Sequence, residues 1–369
     1  MGWSQAMEPS AAGRGKAVAA ALSGPWRRLP EPLAISGTVL ARITPLLLEQ
    51  GAGGLVWRRL MAMGERLPTA ASALRHEARR LLVQSYLQED QLCRAVSCLR
   101  AGGVEPLLIK GWSVARLYAA RGLRPLGDID LCVRPDLLDT AAAALTKLEL
   151  PFGLVDLHGG IPDLPARAWD DIYHRSRLVP LGDVEVRILG PEDLLRLLCL
   201  HFVRHECYRP LWLCDVAATL ESLPADFDWD YCLTGKRRIA QWVLCVVGLA
   251  QRLLGAQVEP AHIAARADRL PWWVVPAVLW RWGATMPALP FHYYARHPSE
   301  IPAALLYRTF NPIKISYWLR MPPHRSWLLL QLAYLLTRPL RLLARLGHGL
   351  ARMRFTPTGS VAVHSGRMF

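Results

Sequence analysis

Two aspartates, Asp128 and Asp130, are separated by a single isoleucine in the run Gly127-Asp128-Ile129-Asp130-Leu131-Cys132-Val133. In an extended strand successive side chains alternate between faces, so both carboxylates project from one side. Held that close they repel each other, and the arrangement becomes favourable when a divalent cation lies between them. Hard cations such as Mg²⁺ prefer carboxylate oxygen. Ile129 and Leu131 are apolar, which sets the strand in a core while its acids share the other face. On the residues alone, a solvated strand end carrying two acids stays an open alternative.

Just upstream, Leu107, Leu108 and Ile109 form an apolar run that stops at Lys110-Gly111, and the spacing of Val114, Leu117 and Tyr118 is then helical. This reads as strand, turn and helix. Gly111 lets backbone come close to a ligand, and amides opening a helix carry partial positive charge, so the corner suits a phosphate. Lys110 and Ser113 would add a cation and a hydroxyl, and Arg124 a second cation for a triphosphate. Gly111 could equally be only a tight turn, and the two cations only neighbours of an acidic strand. A phosphate-binding turn beside paired carboxylates equips a protein for metal-assisted phosphoryl transfer. Such a site usually carries a third carboxylate on an adjacent strand, and both Asp156 in Val155-Asp156-Leu157-His158 and Glu185 in Val184-Glu185-Val186 have a suitable local pattern.

Five ordered segments, KGWSVARLY, RPLGDIDLCV, VDLHGGI, LGPEDLLRLLCLHFVRH and LWLCDVA, resemble the bacterial uncharacterised nucleotidyltransferase family. More broadly, the glycine turn followed by D-x-D resembles the nucleotidyltransferase superfold of DNA polymerase beta. The resemblance runs from about residue 107 to about 220. It implies an α/β (α+β) fold with a small mixed sheet, and Mg²⁺-dependent, two-metal transfer of a nucleoside monophosphate from a nucleoside triphosphate such as ATP to a hydroxyl or phosphate acceptor, with release of pyrophosphate. Asp128 and Asp130 would be metal-binding and catalytic. The family's VDLH segment favours Asp156 over Glu185 as the third acid. Lys110, Gly111, Ser113 and Arg124 would hold phosphate, although this chain reads Gly-Trp-Ser where the superfold has Gly-Ser. His158 and Asp215 also fall in matching segments, either lining a cleft or hydrogen-bonded between core and solvent.

The elements that must position these residues come from the rest of the 369 residues, which are 52% hydrophobic and long enough for one large or two modest domains. Residues 1–32 read as a flexible arm. Residues 33–103 read as an N-terminal helical segment whose clearest helix, with Leu74, Leu81, Leu92, Val96 and Leu99 on one stripe, packs on the catalytic sheet. Residues 104–190 are the catalytic core, residues 191–355 a C-terminal helical region, and residues 356–369 a flexible tail. The site is expected in a cleft between the sheet and the C-terminal helices.

A net charge of +14 makes anionic partners plausible: nucleotides, nucleic acid or an acidic membrane face. Eight cysteines without a C-x-x-C pair read as reduced core residues of a cytoplasmic protein. No apolar run approaches the length of a transmembrane span. Residues 325–355 alternate leucines with Arg338, Arg341, Arg345, Arg352 and Arg354, which suits either docking on the protein itself or peripheral contact with an anionic membrane. His201 and His205 share a helix face near Cys199 and Cys207 but lack a metal-site order, so structural histidines are favoured. The tryptophans after Trp229 are expected in the core. Two other classes of function stay in view: a nucleotidyltransferase fold that binds without catalysis, and a basic protein of nucleic-acid or membrane surfaces.

Overall fold

The computed structural model describes residues 10–63, 71–146, 148, 155–161, 164, 167–284, 312–324, 332 and 361–364. Three helices, α1 (Ala11–Ala21), α2 (Gly37–Glu49) and α3 (Gly53–Met61), lead into the long α4 (Ala71–Ala101). Ser36 starts α2 by accepting from the Val39 amide, the usual serine cap for an otherwise orphaned N–H. Strand β1 (Leu107–Leu108), the single-turn α5 (Trp112–Ala115) and strand β2 (Ile129–Val133) follow. Next come α6 (Leu138–Leu145), β3 (Val155–Gly159), α7 (Trp169–Arg175) and the hairpin of β4 (Arg177–Leu181) and β5 (Val184–Ile188), which turns at the expected Gly182-Asp183.

The C-terminal part is helical: α8 (Pro191–Arg204), α9 (Pro210–Leu220), α10 (Trp229–Leu233), α11 (Arg237–Leu254), α12 (Ala261–Ala267), α13 (Val274–Gly283) and α14 (Pro312–Trp318). Strand β6 (Val361–His364) closes the sheet.

The sheet order is β4-β5-β1-β2-β3-β6. Strand β1 runs antiparallel to β2 and parallel to β5, whereas β2, β3 and β6 are mutually parallel, so the sheet is mixed as the resemblance implies. Its two faces separate into two cores. Leu108, Ile129, Leu131, Val133, Val155 and Leu157 pack with Leu92, Val96 and Leu99 of α4 and with α6. Leu107 and Cys132, facing the other way, belong to a larger core that takes in α1, α8, α9, α11 and α13. The period-two alternation of β2 therefore assigns apolar side chains to α4 and leaves Asp130 on the side of the C-terminal helices.

Two terminal expectations are corrected. Within the stretch expected as a flexible arm, Val18, Ala21, Leu22 and Trp26 are buried, and α1 lies against α13. A Cβ on Gly15 would collide with the Leu279 carbonyl, and one on Gly283 with that of Ala11. The contact is made by backbone and small side chains, so the sequence shows no stripe of large apolar residues there. At the other end, residues 361–364 of the expected flexible tail pair with β3. The larger core also spans the expected boundaries at 32, 103 and 190, because it holds Val18, Leu47, Leu107, Leu198 and Val246 in one cluster.

No helix among the described residues is long and apolar enough to cross a membrane. Apart from Leu332, the leucine and arginine stretch of residues 325–355 lies outside the described residues. Trp273 and Trp282 are buried as expected, while Trp272 stands exposed.

Candidate active site

Strands β2 and β3 run in parallel register with Asp130 opposite Asp156 and Cys132 opposite His158. Adjacent strands lie about 4.8 Å apart, so a shared register position on one face brings the two carboxylates together without help from any loop. His158, two residues beyond Asp156, falls on the same face. Its Nε2 is 3.2 Å from Asp156 Oδ2 and 3.9 Å from Asp130 Oδ1. One ligand atom from each of Asp130, Asp156 and His158 fits within a sphere of mutual distances no greater than 4.8 Å.

Asp130 is buried, at 5% exposure, and its Oδ1 is 3.0 Å from the ammonium of Lys110. Lys110 therefore sits at the acid pair, next to the glycine corner. Asp128 lies one residue before β2 and is exposed. Desolvation raises its pKa, and the negative charges of Asp130 and Asp156 raise it further against the opposing pull of Lys110. Repulsion of this kind is what adjacent carboxylates produce, and it favours a cation between them. Burial alone would depress the His158 imidazole, but hydrogen bonds to Asp130 and Asp156 and their charges outweigh it and hold its pKa at about 9. The donor set of two carboxylates and an imidazole, converging on one point with the charge of Asp128 close by, fits a divalent cation.

The turn before β2 is built from α4. Gln84 donates through Nε2 to the Leu126 carbonyl at 2.9 Å, and Gln88 to that of Gly127 at 2.6 Å. These amides fix the loop that delivers Asp128. Beside it an open groove of about 830 Å³ runs along α4, lined by His76, Arg79, Val83, Leu87 and Asp128 among others. That volume lies within the roughly 300–1,000 Å³ of small-molecule sites. Sequence reasoning missed this role of α4, although the two glutamines one turn apart, on a helix whose buried face also carries Ser85 and Gln91, were its signal.

Gly111 has φ +69° and ψ −114°, a conformation that a side chain would strain, and its missing Cβ faces the Asp128 carbonyl at 3.7 Å. The corner is thus tied to the acidic strand. It opens only the one turn of α5, so little helix dipole is available there. Trp112 lines the same corner, its indole held by Glu89 at 3.2 Å. Ser113 is fully buried, and its Oγ has no hydrogen-bond partner.

Arg124 is a correction to the expected phosphate ligands. Its Nε and Nη2 reach Asp215 at 3.0 and 2.9 Å, and its Nη1 donates to the Pro125 carbonyl at 2.9 Å. Tyr118 adds a hydroxyl donor to Asp215 at 2.8 Å, and all three residues are buried. Buried, and with each nitrogen bonded inside the protein, this guanidinium is turned to Asp215 rather than to a triphosphate. Glu185 is exposed on β5, and β1 separates it from β2, so it does not stand beside the acid pair. His201 lies edge-on to Trp212 with centroids 4.6 Å apart, and the metal-competent cluster among the described residues does not include it.

A family model described as an uncharacterised nucleotidyltransferase matches the chain over residues 40–150 and 146–255, together more than half its length. These matches take in α4, the sheet strands β1 to β5, and α8 and α9. No curated protein and no solved structure matches the chain.

Proposed function

Because the chain belongs to the uncharacterised nucleotidyltransferase family, whose reaction is nucleotidyl transfer, we propose that it moves a nucleoside monophosphate from a nucleoside triphosphate to a hydroxyl or phosphate acceptor in a Mg²⁺-dependent reaction that releases pyrophosphate. The observation that supports this most is the shared register of Asp130 and Asp156 on one face of the sheet, with Asp128 one residue before the same strand. Asp128, Asp130 and Asp156 would hold the divalent cations. When bound, those cations neutralise the triphosphate and polarise the phosphoryl group under attack.

The protein's own groups do the rest. Lys110 stands 3.0 Å from Asp130 and adjoins the Gly111 corner, so its ammonium can turn to a phosphate oxygen once Asp130 is otherwise neutralised. Asp156, partly exposed, takes the proton of the attacking hydroxyl, and the groove along α4 gives the substrates room beside Asp128. All eight cysteines are unpaired, which supports a reducing, cytoplasmic setting. The net charge of +14 supports anionic substrates and leaves nucleic acid as a candidate partner, alongside peripheral contact with an anionic membrane through residues 325–355.

The test is to incubate the protein with each labelled nucleoside triphosphate, Mg²⁺ and cell extract and to follow label and pyrophosphate. Label should pass to one class of molecule, and Asp130→Asn should prevent it. Full transfer by Asp130→Asn, with the variant folded, would reject the assignment. The Lys110–Asp130 ion pair favours a second reading, a binding protein whose acids are neutralised by its own cations. It predicts neither label transfer nor pyrophosphate from any nucleoside triphosphate.

A further inference from the structure

We propose that His158 is a metal ligand, and that its nitrogen gives the site a preference for a first-row transition ion such as Mn²⁺ over Mg²⁺. The inference rests on the metal-dependent reading above but goes beyond it, because that reading needs only the three carboxylates. His158 is on the acidic face by the register of β3, and Nε2 lies 3.2 Å from one carboxylate and 3.9 Å from the other. In an octahedral site with bonds of about 2.1 Å, neighbouring ligands are about 3.0 Å apart and opposite ones about 4.2 Å. Both measured separations fall inside that interval. An imidazole is thus already at ligand distance from the two acids, with no strand movement needed.

The chemistry of the donor set then decides which ion gains most. Mg²⁺ takes oxygen ligands in near-ideal octahedra and keeps its waters, so an imidazole adds little to its binding. First-row transition ions accept imidazole nitrogen, and Mn²⁺ among them is also compatible with carboxylate oxygen. A site made only of Asp128, Asp130 and Asp156 would lack this discrimination. The competing role for His158 is that of a counter-cation, touching the acids only while no metal is bound.

The two roles separate in a metal-binding measurement that needs no turnover. Mn²⁺ is titrated into the full chain and into His158→Gln and His158→Asn, with free Mn²⁺ read from its electron paramagnetic resonance signal, and Mg²⁺ is added as competitor. Circular dichroism checks that each variant is folded. Wild-type protein should show spin-echo modulation from a directly bound imidazole nitrogen, absent in both variants. Both variants should lose at least about tenfold in Mn²⁺ affinity while Mg²⁺ affinity stays within a factor of about two. Mn²⁺ bound without nitrogen modulation, or unchanged Mn²⁺ affinity in folded variants, overturns the proposal and leaves the carboxylate site standing. Wild-type protein that binds neither ion overturns this proposal and the metal-dependent reading together.

Discussion

The molecule contains two clusters of acid and base, and they are built to opposite rules. Around Asp215 the account is closed: one carboxylate, one guanidinium in a two-pronged contact and one phenol donor, all buried. Around Asp130 it is open: Asp130 and Asp156 meet Lys110 and His158, the charge of Asp128 adds to theirs, and Asp156 and Lys110 are still 22% and 26% exposed. The first cluster balances its charge internally and away from solvent, while the second carries surplus negative charge beside solvent. Arg124 and Asp130 are six residues apart, so proximity along the chain says little about which group meets a substrate. Burial and charge balance say more.

Opposite consequences for stability and activity follow, and four experiments probe the contrast. Asp130→Asn should have the largest effect, a fall in nucleotidyl transfer on the order of a thousandfold if the cation it holds supplies several kcal/mol to the transition state. Labelled-nucleotide transfer measures it, and the variant's melting temperature should stay within a few degrees of wild type. Asp215→Ala should destabilise by about 3–5 kcal/mol, since it leaves a buried guanidinium uncompensated. Chemical denaturation checks this, and Arg124→Leu combined with Asp215→Leu should recover part of the loss. If Asp215→Ala melts like wild type, the closed cluster is not what joins the β2 approach to α9.

Smaller effects sharpen the comparison. The raised pKa of Asp128 means that its ionised form opposes folding, a contribution that sets in as pH rises through the folded-state pKa. Asp128→Asn should therefore stabilise the protein slightly at pH 7, seen as a small rise in melting temperature, because solvent screens most of the repulsion. His158 gives the smallest and most diagnostic signal. Its pKa rises from 6.5 to about 9 on folding, so its stabilisation is complete below about pH 6.5 and is lost as pH climbs through 9. In chelator-treated protein the melting temperature should fall across that window, and His158→Gln should flatten the fall.

The face taken by Asp130 was legible in the sequence because strand alternation is a local rule, whereas Asp128, expected on the same strand, lies one residue before it and outside the Asp130, Asp156 and His158 cluster. The pairing of Asp130 with Asp156 was legible through one intervening helix and the family's motif order. What was not legible depended on partners distant in the chain. Arg124 reads as a phosphate ligand until Asp215, 91 residues later, is seen to occupy it. Gln84 and Gln88 look like polar interruptions of a helix stripe until the Leu126 and Gly127 carbonyls arrive above them. His158 stood within a quoted motif, yet its distance to both acids follows from strand register. Helix α1 escaped because its contact depends on the missing Cβ atoms of Gly15 and Gly283, and an absence of side chain reads as flexibility.

That last contact couples distant parts of the chain. Helix α1 also touches α2, its neighbour in sequence, but its most extensive contact is with α13, which is complete only once residue 283 has been synthesised. Until then Val18 lacks part of the surface that buries it, so the final docking of α1 belongs to a late stage of folding.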